Sequence, residues 1–263
     1  MRVSYDMTNK NVFVFGGTSG INLGIAEGFA NAGARLAVAS RNPDKVEAAK
    51  FHVSRDGRPA HGYALDVREA KLVAEAIEHF VNAHGPIDVL VSGAAGNFPA
   101  AAAQLSPNGF KSVVDIDLLG TFNVMRAAHA HLTKPGACVI NISAPQAVIP
   151  MAWQVHVCAA KAGVDMLTKT LAIEWGPEGI RVNSIIPGPI DGTEGMARLA
   201  PTPQAREMVV NSVPMRRMGT PDDIAQVCLF LASDSARYVS GAIIPVDGGW
   251  VASGARLEAP ATK

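Results

Sequence analysis

The chain has few of the features that would place it outside a reducing, aqueous compartment. It holds 3 cysteines, Cys138, Cys158 and Cys228, an odd number with no Cys-x-x-Cys spacing. That pattern argues against a disulfide framework or a thiolate metal cage and for buried thiols. No apolar run approaches the roughly 20 residues that a membrane-spanning helix needs. Met1 to Lys10 is charged and polar, without the apolar stretch of a secretory signal. The ending Pro260-Ala261-Thr262-Lys263 does not resemble a Ser-Lys-Leu peroxisomal address. Neither charge sign is in excess, with 23 basic and 23 acidic residues, so nothing favours capture by nucleic acid or an anionic membrane. The expectation is a cytoplasmic protein with no metal and a small-molecule partner.

What is present is the profile of a packed α/β protein. Apolar residues make up 48% and charged residues 17%. The length suits one large domain, here 1–263, without repeat, linker or low-complexity tract. Short β-branched runs at 11–15, 35–40, 61–66, 87–92, 137–142, 181–186 and 242–246 alternate with helical patterns, among them 70–83, 107–132, 155–175 and 221–232. Unbroken apolar runs of this length suit strands buried on both faces. They predict a doubly wound Rossmann fold, a parallel sheet of about seven strands with helices on both faces. Residues 187–213, rich in Pro, Gly, Met and Thr, break the rhythm and follow a strand. They leave the carboxyl edge of the sheet, where ligands bind in such folds, and are expected to form a mobile lid over a substrate.

After the first strand comes Gly16-Gly17-Thr18-Ser19-Gly20-Ile21-Asn22-Leu23-Gly24. Between a strand and a helix, such glycines let the backbone approach a pyrophosphate, whose charge the helix N-terminus stabilises. The second strand ends in Ser40-Arg41, with no acid for a ribose 2′-hydroxyl. A serine and an arginine there suit a 2′-phosphate, which favours NADP(H) over NAD(H). Asp66, followed by Val67, ends the third strand where it can meet the adenine ring, and a helix-capping role would explain the acid almost as well.

With Lys161 in its helix, Asn183-Ser184 before Pro187-Gly188, and Ser240-Gly241 before Asp247-Gly248-Gly249, the chain resembles a short-chain dehydrogenase/reductase over nearly its whole length. The departures matter as much. Ordinary members carry glycine at Asn22, an Asn-Ala-Gly turn at Ser92–Ala94, and Asn, Ser and Tyr at Asp117, Ala144 and Val157. Of the four catalytic positions only Lys161 is retained. The altered set is similar to the 2,4-dienoyl-CoA reductase branch, particularly the peroxisomal type. The agreement covers Ala94-Ala95-Gly96-Asn97-Phe98, Leu105-Ser106-Pro107-Asn108, Asp115-Ile116-Asp117, Gln154-Val155-His156, Glu174-Trp175-Gly176-Pro177, Pro187-Gly188-Pro189-Ile190 and Gly192-Thr193-Glu194-Gly195. The resemblance implies NADPH-dependent reduction of a 2,4-dienoyl-CoA to a trans-3-enoyl-CoA, and a homo-tetramer.

That chemistry tolerates the losses. In ketone reduction the tyrosine gives a proton to the nascent alkoxide. In a conjugated dienoyl thioester, hydride adds at the δ carbon and charge spreads to the thioester oxygen, which needs hydrogen-bond donors but no permanent proton. The proton ends on the α carbon. Asp117 is the candidate to deliver it through a water. Whether it gives the proton or only orients the water depends on its charge, since a neighbouring cation favours the ionised carboxyl and burial the neutral one. By resemblance Lys161 binds the nicotinamide ribose, and Pro187, Gly188, Ile190 and Thr193 flank the nicotinamide. Asn97 can donate to the thioester oxygen and Phe98 can pack on the acyl chain. His156 sits about 100° round the helix from position 157, which points to a supporting or subunit-facing role. Two other readings remain: a carbonyl or 3-oxoacyl reductase whose acid has moved to Asp117 or His156, and an NADP(H)-binding protein that has lost catalysis.

Overall fold

Seven parallel strands form one sheet in the order β3-β2-β1-β4-β5-β6-β7. They are β1 Asn11–Phe15, β2 Arg35–Ser40, β3 His61–Ala64, β4 Val89–Ser92, β5 Cys138–Ile142, β6 Arg181–Pro187 and β7 Ile243–Val246. The structure, a computed structural model, describes residues 4–55 and 57–253, so the Pro260-Ala261-Thr262-Lys263 ending and the first three residues lie outside the described residues. Strand ends differ from the expected ones by at most two residues. The helices are α1 Gly20–Asn31, α2 Pro43–Val53, α3 Ala70–His84, α4 Pro107–Val114, α5 Gly120–Ala128, α6 Val155–Trp175, α7 Glu194–Leu199, α8 Pro203–Ser212 and α9 Pro221–Ala232.

The central strands are apolar on both faces because both faces are covered. Val12 and Val14 pack into one core with Ile25, Phe29 and Leu229 of α1 and α9. Phe13 and Phe15 point the other way, into a core with Ile77, Phe80 and Met125 of α3 and α5. Each fully buried Phe contributes about 1.5–3 kcal/mol. Helix starts are marked by side chains that satisfy free backbone donors: Asn42 accepts from Lys45 N at 3.0 Å, Ser106 from Gly109 N at 3.0 Å, and Thr220 forms a reciprocal box with Asp223.

From β1 the chain builds β2 and β3 on one side, then crosses to β4 on the other. The loops after β1 and β4 therefore diverge and leave a crevice at the strands' carboxyl ends. One expectation needs correction. The pattern over 107–132 predicted one helix, whereas α4 and α5 are separated by a π-helical turn at Asp115–Leu119. One inserted residue shifts the apolar period too little to read in so short a stretch. Residues 187–213 are mostly helical: α7 and α8 pack around Met196, Ala200 and Met218, and Arg206 makes two 2.8 Å bonds to the Asp191 carboxylate.

Candidate active site

The crevice between β1 and β4 opens into a cleft of about 840 Å³ whose lining includes Gly16, Thr18, Ser19, Ser40, Arg41 and Asp66. Gly16 has φ +79°, and a Cβ there would stand 2.8 Å from Ala94 N, so only glycine lets the β1 and β4 loops close up. Ser19 precedes α1 without using its hydroxyl as a cap, which leaves the first amides of α1 free to meet an anion. Asn22, where the ordinary family has glycine, donates from Nδ2 to Gly93 O at 2.8 Å and ties the two loops together. Ser40 and an exposed Arg41 stand at the end of β2 on the same cleft. These residues fit a dinucleotide: glycine backbone and helix N-terminus for a pyrophosphate, and a cation beyond β2 for a further phosphate.

Asp66 has a local role as well. Its Oδ1 accepts from Arg68 N at 2.9 Å and its Oδ2 from Arg68 Nη2 at 2.7 Å. The hydrogen-bonded Arg68 guanidinium holds this carboxyl below its ordinary range. Val67 is buried at the cleft wall, against Gly120, where any Cβ would come within 2.6 Å of Val67 Cγ2. Among the remaining expected residues, Gly20, Ile21, Pro187, Gly188, Ile190 and Thr193 lie outside the cleft lining. Thr193 nevertheless faces Gly20, its Cγ2 3.4 Å from where a Cβ on that glycine would be. The Thr193 hydroxyl donates to Ile190 O at 2.9 Å and accepts from Met196 N at 3.2 Å, which leaves one lone pair for a further donor.

Behind the cleft, Asp117 and Lys161 form a buried ion pair, Nζ to Oδ2 3.3 Å, with side chains 1% and 6% exposed. The π-turn presents Asp117. Gly120 N reaches back five residues to Asp115 O, and the carbonyl of Asp117 is taken up by the Thr121 hydroxyl at 2.7 Å. Asp117 Oδ1 accepts from Gly96 N at 2.7 Å, so the acid also holds the loop that carries Asn97 and Phe98. Lys161 donates a hydrogen bond to Ile142 O at 3.0 Å, while its approach to Asp117 Oδ2 is an ion pair without hydrogen-bond geometry. Ammonium protons remain for a further acceptor. Asn97 is exposed on the cleft wall, and Phe98 is 38% exposed.

Val157 packs with Val113 and Ala160, an apolar contact where a proton donor would otherwise stand. His156 does not face a subunit surface: it is fully buried, with its ring against Phe98 at 4.6 Å. Sequence reasoning missed Asp165, one turn beyond Lys161 on α6 and 6% exposed, which accepts from the Ser184 hydroxyl at 3.0 Å. Burial pushes its carboxyl up, against the pull of the Ser143 and Ser184 hydroxyls and of Lys161. The signal was an acid four residues from the lysine, on the same helix face.

Comparison with known proteins extends this picture. Residues 16–251 match the family described as enoyl-(acyl carrier protein) reductase. The peroxisomal 2,4-dienoyl-CoA reductase of Rattus norvegicus, named as (3E)-enoyl-CoA-producing, is 43% identical over 245 residues, covering 92% of this chain and 84% of the relative. A probable 2,4-dienoyl-CoA reductase of Bacillus subtilis, named as (2E)-enoyl-CoA-producing, is 40% identical over 92% of this chain and 97% of its own. The crystal structure of a short-chain dehydrogenase from Bacillus anthracis superposes with a TM-score of 0.84 at 37% identity, covering 93% of this chain and 97% of that one.

Proposed function

Because the chain belongs to the short-chain dehydrogenase/reductase family, we propose that its site reduces a 2,4-dienoyl-CoA to the trans-3-enoyl-CoA with NADPH. The relatives near 40% identity over most of the chain are 2,4-dienoyl-CoA reductases, oxidoreductases that act on carbon–carbon double bonds. The observation that carries the reading is the buried Asp117–Lys161 pair in a chain with Val157 and Ala144 at the positions where ordinary members carry hydroxyls, which leaves an acid and a cation but not the hydroxyls a ketone reduction uses.

When bound, the nicotinamide cofactor supplies the hydride. Gly16, Thr18, Ser19, Gly20 and Ile21 would hold its pyrophosphate, Ser40 and Arg41 its 2′-phosphate, and Asp66 with Val67 its adenine. The spare Lys161 proton suits a ribose hydroxyl, and Pro187, Gly188, Ile190 and Thr193 would hold the nicotinamide end. In the acyl site Asn97 donates to the thioester oxygen and Phe98 packs on the chain. Asp117, with Lys161 fixing its second oxygen, positions the water that protonates the α carbon; protonation at the γ carbon would instead give the 2-enoyl product.

The remaining assignments belong to the same proposal. Residues 187–213 act as a lid on one domain. The free thiols Cys138, Cys158 and Cys228 suit a cytoplasmic setting, and among the described residues no helix is long and apolar enough to cross a membrane. A homo-tetramer is the expected assembly.

The test is NADPH consumption with 2,4-hexadienoyl-CoA and acetoacetyl-CoA in parallel, with NADH as control and product identification. Conversion of the dienoyl thioester to the 3-enoyl product with NADPH is the expected result. Turnover of the oxo compound alone would replace the proposal with a carbonyl reductase, and cofactor binding without turnover of either would point to a lost catalytic role.

A further inference from the structure

We propose that Asn22 is a positioning residue that fixes the segment from Gly93 to Asn97 between the cofactor and acyl halves of the site, and that Gly93 lacks a side chain in order to receive it. The inference rests on the dienoyl-CoA reading above and adds the residue that sets one half of the site against the other.

Asn22 stands in the first turn of α1 and lines the cleft. Its Nδ2 donates to Gly93 O at 2.8 Å. Its Oδ1 is shielded from solvent and has no partner. One hydrogen bond made and one buried acceptor left unpaired roughly cancel in the energetics of folding. Stability alone therefore does not account for an amide at this position.

Gly93 is shaped around that amide. Beyond its chain neighbours, the three atoms nearest to a Cβ on Gly93 all belong to Asn22: Oδ1 at 2.3 Å, Nδ2 at 2.5 Å and Cγ at 2.6 Å. Gly93 is not among the residues with positive φ, so room rather than backbone conformation demands glycine there. Ordinary family members carry the smaller residue at 22 and alanine at 93; here the sizes are exchanged. The next peptide touches the cofactor loop, since a Cβ on Gly16 would stand 2.8 Å from Ala94 N and 2.9 Å from Gly93 C.

Three residues beyond Gly93, Gly96 N donates to Asp117 Oδ1 at 2.7 Å, and Asn97 and Phe98 follow. The segment is thus pinned at one end to the helix whose N-terminus faces the cleft and at the other to the acid of the buried pair. Hydride transfer needs the two reactants in a near-attack geometry. The residues that hold them sit on loops after different strands, β1 and β4. Through Gly93, Asn22 fixes where Asn97 stands relative to the dinucleotide site.

The test compares wild type with Asn22→Gly, Gly93→Ala and the double exchange. It reads kcat and KM with 2,4-hexadienoyl-CoA, NADPH affinity by fluorescence titration, and melting temperature. Asn22→Gly is expected to lose roughly 10-fold in kcat, inside the roughly 100-fold that a misplacement of about 1 Å can cost, with NADPH affinity and melting temperature little changed. Gly93→Ala drives the amide out and should lose as much. In the double variant the new methyl takes the room the amide leaves, so kcat should lie above either single value; independent sites would multiply the two losses. Wild-type kcat in Asn22→Gly overturns the proposal, as does a multiplied loss in the double variant. Should Gly93→Ala fail to fold, Asn22→Gly decides alone. Failure of the wild type itself to turn over the dienoyl thioester, with NADPH still bound, would instead sink the functional reading.

Discussion

An acid and an ammonium group 3.3 Å apart and almost sealed from solvent cannot be a decorative pair. Breaking a buried pair by removing one charge costs about 3–5 kcal/mol, because the other is left uncompensated. Asp117→Asn is the incisive change: the amide oxygen can still accept from Gly96 N, while Lys161 loses its counter-charge and the site its acid. Dienoyl reduction should fall by roughly 100-fold or more, within the range of a lost general acid, and the melting temperature should fall with it. Near-normal turnover would remove Asp117 from the proton pathway. At the other end of the cleft, Arg41→Ala should raise KM for NADPH far more than for NADH; equal losses would argue against a 2′-phosphate contact. Both residues were readable in the sequence, Arg41 from its place after a strand and Asp117 from the family resemblance. Their settings were not. The Gly96 bond, the Ile142 contact and the Asn22 bond to Gly93 arise where segments distant in sequence meet, and no local pattern encodes that.

Elements carry their own limits of legibility. β1 and β2 were read to the residue because buried strands are continuous apolar runs bounded by polar turns, whereas the π-turn that presents Asp117 left no trace in the pattern. The edge of the sheet holds a further device. On β3 and α3, His61 and His84 lie with ring centroids 4.3 Å apart, beside His79 and within the field of Arg35 and Lys50. Burial first, then these neighbouring charges, holds both imidazoles below the ordinary histidine range. The unfolded chain therefore binds more protons than the folded one between the folded values and about 6.5. Stability should be complete above pH 7 and decline as pH falls through that window. Carboxyls held low, such as Asp223 at about 2, titrate well below it. Thermal melts at pH 7.5 and 5.5 should show the lower value at pH 5.5, and the gap should narrow in His61→Asn. An unchanged gap would assign the pH sensitivity elsewhere.

At the scale of the molecule, the parallel sheet and two-sided core follow from the alternation of strand and helix, but one face of α6 is not explained by the single chain. Val155, Met166 and Ile173 lie within about 20° of one another on a helix and are 44%, 61% and 78% exposed. Ala159 and Ala162 fall along the same stripe and are also exposed. Small residues between larger apolar ones let two helices approach closely, and an apolar stripe of this length is uncommon on a monomer. Phe122 on the neighbouring α5 is 42% exposed. A second copy of the chain, seated helix against helix, is the occupant that fits the expected tetramer. It would also brace α6 directly behind Lys161, so that assembly and activity are coupled. Light scattering coupled to gel filtration should report a tetramer for the wild type, and Met166→Lys with Ile173→Lys together should reduce the mass to a dimer or monomer with the far-ultraviolet circular dichroism unchanged. A double variant that keeps the wild-type mass would exclude this face from the interface. One that dissociates with full activity would uncouple assembly from the chemistry of the site.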